Sequence, residues 1–205
     1  KFKTSLIKNM QFFEKKWLDI DEGKDSISLD KWVKKHVSNI CEDLILQMDI
    51  EGAEYRNMLS SSETLLKRFR IIVIELHHLE NLLLNKEGNQ IESLLKKLNK
   101  THICIHAHPN NCCGELIDSE TGMNIPRVIE LTYLRRDRFL NKKLSINNAI
   151  PNPKDISANL LTRKPLHLNK NWFNPKDREL KSKLKIIKDY FIWLTFGKLI
   201  AIHEK

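Results

Sequence analysis

Leu44-Ile45-Leu46-Gln47-Met48-Asp49-Ile50-Glu51-Gly52-Ala53-Glu54-Tyr55 is the stretch on which the fold turns. Its first half is an apolar run with the pattern of a buried strand. Its second half sets three carboxylates, Asp49, Glu51 and Glu54, around one glycine. Gly52 allows the backbone to turn where a side chain would obstruct it. The segment from Tyr55 to Phe69 mixes leucine with charge and predicts a helix. The order is therefore strand, acidic turn, helix. In open α/β sheets ligands bind beyond the carboxyl ends of the strands. Carboxylates at that point are placed to hold a metal, take a proton or bind hydroxyls. Asp49 and Glu51 are equally suited to cap the following helix.

Downstream the pattern repeats. Arg70-Ile71-Ile72-Val73-Ile74-Glu75-Leu76-His77-His78 carries the β-branched run of a second buried strand. Leu79 to Asn99 predicts a helix interrupted near Gly88. His102-Ile103-Cys104-Ile105-His106-Ala107-His108 predicts a third strand, running into the loop chemistry of Pro109–Gly114. Arg127–Leu134 is a fourth strand, reached through the short loop Asp118–Pro126. A connection that short joins antiparallel partners, because parallel strands need a longer crossover. Upstream, Met10–Leu18 predicts a strand and residues 19–26 a polar loop. Ser28 is a fair N-cap for a helix that puts Leu29, Trp32 and Val33 on one face. These elements make an α/β sheet, mostly parallel, with an antiparallel hairpin at one edge.

At 205 residues the chain is sized for one domain with an appendage. Residues 1–140 form the α/β part. Residues 141–205 read as a tail rich in proline and asparagine, then a basic helix at 177–189 and the apolar stretch Tyr190–Ile202. That stretch is too short to span a bilayer. It reads as a packing element or as a contact with a membrane surface. The net charge of +9 comes mostly from lysines spread along the chain. No run combines dense arginine with interleaved aromatics, so no nucleic-acid partner is expected. The cysteines, Cys41, Cys104, Cys112 and Cys113, have no C-x-x-C spacing and are expected as reduced thiols of a cytoplasmic protein. The first residue, Lys1, suggests a chain that begins inside a longer polypeptide.

Four stretches carry a family resemblance: LILQMDIEGAEY at 44–55, FRIIVIELH at 69–77, HAHPNNCC at 106–113 and IPRVIELTYLRRDR at 125–138. In that order they resemble the carboxyl-terminal half of an FkbM-type methyltransferase. Ser26–Val33 resembles the segment that precedes the family's fourth strand. The resemblance implies a Rossmann-like class I sheet, S-adenosylmethionine as cofactor and O-methylation of a sugar or similar metabolite. Its strands four to seven would end at Asp49, His77, His108 and Leu134. The glycine-rich turn that holds the cofactor in this class has no counterpart. There is no G-x-G, and only six glycines occur. The expectation is a partial domain that holds the cofactor poorly on its own. The alternative is a non-catalytic or decayed domain that docks a glycosyltransferase or a membrane surface.

If the family reading holds, the chemistry needs a base for the acceptor hydroxyl, and a divalent metal can assist by lowering its pKa. His77, at the end of the second buried strand, is the first candidate for base. Asp49 and Glu51 are candidates to orient the acceptor or to hold Mg²⁺, which favours oxygen ligands. Glu54 is expected to pair with an arginine or lysine. His106 and His108 share one side of their strand, with His108 a further catalytic candidate. His106, Asn110, Asn111 and Glu51 are candidates to bind the acceptor. A metal site built from His77, His106 and His108 is conceivable but matches no local motif. His78 and His102 are expected at the surface. Glu75 and Glu130, inside otherwise apolar strands, need partners, and Arg70, Arg127, Arg135 and Arg136 are available.

Overall fold

The computed structural model describes residues 11–83, 88–119, 122–139, 145–146, 150–155, 159–169, 172 and 200–201. The elements run β1 (Trp17–Leu18), β2 (Ser26–Ile27), α1 (Leu29–His36), β3 (Leu44–Met48), α2 (Glu54–Ser60), α3 (Glu63–Leu66) and β4 (Phe69–Leu76). A 3₁₀ turn at Leu79–Leu83 then leads to α4 (Gly88–Asn99), β5 (His102–Ile117) and β6 (Asn124–Arg135). The main sheet has the order β3-β4-β6-β5. β3 pairs in parallel with β4, Met48 opposite Ile74, and β6 lies antiparallel between β4 and β5. Three strands therefore point one way. The reversed strand is the inner member of the hairpin that closes the sheet, and β5 is the outer edge.

Alternation along β4 defines the two faces. Ile72, Ile74 and Leu76 are fully buried, whereas Ile71, Val73 and Glu75 between them are half-buried. The buried face meets α2 and α4, whose Met58, Leu94 and Leu98 are also fully enclosed. α1 begins as its sequence predicts: Lys31 N–H donates to Ser28 Oγ at 3.4 Å, and Leu29 and Val33 turn inward.

Several elements differ from the pattern-based expectation. Of the strand expected over 10–18, only Trp17–Leu18 pairs among the described residues 11–18, in parallel with Ser26–Ile27. Phe12 and Phe13 are exposed; Glu14-Lys15-Lys16 would put charge on both faces of a longer strand. The helix expected over 55–69 divides at a run of three serines. Ser62 starts α3 as its N-cap, accepting from Leu65 N–H at 3.1 Å. Lys97 Nζ donates to the Leu59 carbonyl at 2.6 Å, closing the end of α2. Pro109–Gly114 is not a loop. β5 continues through it, with irregular pairing between Asn110 and Glu115, where Asn110 Oδ1 accepts Cys112 N–H at 2.9 Å in place of a ladder partner.

His102, expected at the surface, is fully buried. Its Nε2–H donates to the Phe69 carbonyl at 2.8 Å, and Thr101 Oγ1 lies 2.8 Å from Nδ1. These partners suit the neutral ring, and burial lowers its pKa. Of the arginines expected to neutralise Glu75 and Glu130, Arg127, Arg135 and Arg136 pair elsewhere. Arg127 bonds Glu80 at 2.8 Å, and Arg135 bonds Asp43 and Asp137. Glu75 instead accepts from Asn110 Nδ2 at 2.8 Å, and Glu130 from Asn159 Nδ2 at 2.5 Å.

Part of the proline-rich tail belongs to the core. Ile150, Leu168 and Trp172 are buried with the sheet residues, and Trp172 Nε1–H donates to the Asn124 carbonyl at 2.6 Å. β7 (Ser145–Ile146) pairs antiparallel with β8 (Ile200–Ala201). Apart from those two residues, the basic helix expected at 177–189 and the apolar stretch at 190–202 lie outside the described residues, as do residues 1–10. No helix among the described residues is long and apolar enough to cross a membrane, and all four cysteines are free thiols.

Candidate functional site

The site forms where β3 and β4 end side by side. After Met48 the chain turns through Asp49–Ala53, with Glu51 at φ 56° and Gly52 at φ 100°. The left-handed conformation is costly for Glu51 and natural for glycine. A Cβ on Gly52 would sit 3.1 Å from His78 Cδ2, so the turn is packed directly against the end of β4. His78 also adopts a positive φ, 58°. The two non-glycine residues with positive φ among the described residues therefore flank the same place, as such outliers often do at functional sites.

Between them lies His77, 9% exposed. The first turn of α2 fixes it twice. Tyr55 Oη donates to the His77 carbonyl at 2.6 Å, and Glu54 Oε1 lies 3.1 Å from His77 Nδ1. Glu54 is fully buried and also accepts Ile50 N–H at 2.8 Å and Gly52 N–H at 2.9 Å. A carboxylate can only accept, so the imidazole carries a proton on Nδ1. Nε2 then points the other way, 3.5 Å from Glu51 Oε2 and 3.9 Å from Asp49 Oδ1. Burial and the Glu54 carboxylate push the Tyr55 phenol pKa up, which keeps it a donor.

This geometry separates the two uses foreseen for the acidic turn. The N-cap of α2 is Ala53, with no side-chain cap bond, so Asp49 and Glu51 are not its caps. Glu54 staples the turn instead, and its ionic partner is His77 rather than the expected lysine or arginine. Asp49 and Glu51 are left facing the imidazole, their side chains 51% and 87% exposed.

A second cluster lies along β5. His106 Nε2 is 3.1 Å from Asp155 Oδ1, and His108 Nδ1 is 3.3 Å from Asp155 Oδ2. Asp155 comes from the tail, where its Oδ2 also accepts Asn152 N–H at 3.0 Å. Burial acts to raise the Asp155 pKa, but hydrogen bonds from His106 and His108 outweigh it and hold the carboxyl below its usual value. Asn111 is committed to the tail as well, its Nδ2 donating to the Leu160 carbonyl at 2.9 Å and its Oδ1 accepting Leu160 N–H at 2.8 Å. Asn110 is spent on Glu75 and on the irregular stretch of β5.

The strand register connects the two clusters. Glu75, Glu130 and His108 form one cross-strand row. Burial raises the Glu75 pKa; the Asn110 hydrogen bond offsets part of this, and the charges of Asp49 and Glu130 add to the rise. The structure thus brings His77, Asp49 and Glu51 together at one end of the row and places His106 and His108 at the other. It does not assemble His77, His106 and His108 around one metal: the group of three metal-competent side chains among the described residues is Asp49, Glu51 and His77.

Two residues of this arrangement were not singled out for these roles by sequence. Glu54 was visible as a third carboxylate, but its enclosure depends on β3 and β4 being neighbours. Asp155 lies 47 residues after His108, and only the fold of the tail brings it back; Asn152-Pro153-Lys154-Asp155 carries turn chemistry and no catalytic pattern.

Comparison with curated proteins yields no match, and neither does comparison with solved structures. A family model does match: residues 11–101 fit the methyltransferase FkbM domain. The match contains α1, the acidic turn, Glu54 and His77, and it ends just before β5. The sheet order and its reversed strand agree with the Rossmann-like fold that the resemblance implied. Residues 11–101 of this chain are therefore similar to, and consistent with, part of an FkbM-type methyltransferase domain.

Proposed function

We propose that the chain is the acceptor-side part of an S-adenosylmethionine-dependent O-methyltransferase acting on a hydroxyl of a sugar or similar metabolite. The observation that carries this reading is His77, anchored by buried Glu54 and facing Asp49 and Glu51 beyond the carboxyl ends of β3 and β4. That is where open α/β sheets place their ligands. S-adenosylmethionine supplies an electrophilic methyl group. No glycine-rich turn follows a strand among the described residues, so they fit the acceptor half of the reaction and not the cofactor's cradle. What these residues do concerns the acceptor. A neutral hydroxyl is a weak nucleophile, and its proton leaves toward the cluster of His77, Asp49 and Glu51. Glu54 holds the imidazole against rotation and Tyr55 fixes the His77 backbone, so the hydroxyl meets a fixed partner. His106 and His108, bridged by Asp155, and the exposed carboxylate of Glu51 bind the acceptor's other hydroxyls. Asn110 and Asn111 shape the wall between them.

The test is methyl transfer from labelled S-adenosylmethionine to a panel of neutral mono- and oligosaccharides, with products identified by mass. Transfer is expected for the wild-type chain, or for the longer polypeptide that contains it, and is expected to vanish in Asp49→Asn. A folded Asp49→Asn variant with wild-type turnover removes this cluster from the reaction.

A further inference from the structure

We propose that His77, Asp49 and Glu51 bind a transition-metal dication of the Zn²⁺, Fe²⁺ or Co²⁺ class, rather than the Mg²⁺ that two carboxylates alone would suggest. The inference rests on the same site as the proposed function and names its metal.

The donor geometry is the first argument. One ligand atom from each residue lies within 4.8 Å of the other two. The measured separations from Nε2 are 3.5 Å to Glu51 and 3.9 Å to Asp49. Donors about 2.1 Å from a tetrahedral Zn²⁺ stand roughly 3.4 Å apart, so a modest inward movement of two exposed carboxylates completes three ligands. With Asp49 and Glu51 largely solvated, a fourth position is left open to water or an acceptor oxygen, the arrangement of catalytic rather than structural zinc sites.

The imidazole is the independent second argument. His77 is nine-tenths buried, and its Nε2 has no hydrogen bond among the described residues. Glu54 is not a ligand; it sits behind the ring, takes Nδ1–H, and so leaves the Nε2 lone pair aimed between two carboxylate oxygens. Three electron-rich groups converge there, and no lysine or arginine lies within 4.0 Å of Asp49 or Glu51 among the described residues. A carboxylate behind a histidine that faces outward is the usual support of a metal-binding imidazole. The nitrogen donor sets the class: imidazole suits zinc, iron and related ions, whereas Mg²⁺ takes oxygen. His77, Asp49 and Glu51 would hold the cation, which would supply Lewis-acid assistance by making a nearby acceptor hydroxyl more acidic.

The test is titration of the full 205-residue chain with Co²⁺, followed by visible absorption, with Mg²⁺ as competitor. One Co²⁺ is expected to bind and to persist in a large excess of Mg²⁺. Glu51→Gln is the informative variant, because that side chain is 87% exposed and its removal leaves the fold intact; it is expected to lose the site. Glu54→Gln is expected to weaken binding about 10- to 100-fold through the ring it no longer holds firmly. Absence of Co²⁺ binding, equal binding by the wild type and a folded Glu51→Gln, or displacement by equimolar Mg²⁺ each overturns the proposal. Methyl transfer that survives a chelator removes the metal and leaves the transferase reading. A bound Co²⁺ without methyl transfer to any acceptor does the reverse.

Discussion

Replacing Glu54 by glutamine changes one oxygen into an amide nitrogen at a fully buried position. Glu54 Oε1 accepts from Ile50 N–H and faces His77 Nδ1, while Oε2 accepts from Gly52 N–H. Glutamine retains one acceptor. Its oxygen takes the two-donor side, which leaves an NH₂ group against Gly52 N–H. One buried donor then loses its partner, at a cost of about 1–3 kcal/mol. For a chain of 205 residues this lowers the melting temperature by about 2–12 °C. The His77 bond survives, but to a neutral acceptor, which roughly halves its strength. Thermal unfolding by circular dichroism reads the first effect. Nitrogen-15 correlation spectra of the imidazoles read the second, because wild-type His77 places Nδ1–H against the Glu54 carboxylate. A melting temperature unchanged by Glu54→Gln, together with a wild-type His77 protonated on Nε2 alone, would refute the argument.

Gly52→Ala is expected to cost about 1–3 kcal/mol, since alanine must hold a positive φ and its Cβ meets the His78 ring; a denaturant midpoint equal to wild type contradicts this. Trp172→Ala should cost about 3–5 kcal/mol, because the indole is fully buried and bonded to Asn124; a small effect would show that the tail is an adornment and not core. His102 titrates below its ordinary value because burial disfavours the charged ring. The unfolded chain therefore takes up a proton first as pH falls below about 6.5, and stability declines from there down to the folded-state pKa. The slope is at most about 1.4 kcal/mol per pH unit, read from urea midpoints across this window, and it should flatten in His102→Gln. An equal slope in that variant assigns the acid sensitivity to other groups.

Much of the framework was legible in the residues because it is local. The runs at 44–48 and 69–76 read as strands, Ser28 as an N-cap, and Asp118–Pro126 as a hairpin connection, all from side-chain chemistry within a few positions. Of the two strands expected to be buried only the second is, since β3 is an edge of the sheet among the described residues, with Ile45 exposed and Leu44 and Leu46 half-buried. The acidic turn and His77 at the end of β4 stood out from side-chain chemistry in the same way. Single-position errors had physical causes. Three charges in succession delayed the start of β1, three serines split a helix, and an asparagine side chain replaced a missing ladder bond where a loop was expected.

By itself the sequence determined which residues lie at the carboxyl ends of β3 and β4, since alternation and turn chemistry are written within each segment. Only the tertiary structure decided what those residues do to one another. Parallel pairing of β3 with β4 carries Glu54 behind His77 and turns Nε2 toward Asp49 and Glu51. The fold of the tail lays Asp155 across His106 and His108 and sinks Trp172 into the core. Such contacts join positions tens of residues apart, and their energies come from burial and from the direction of hydrogen bonds. Neither is defined until the chain has closed around them.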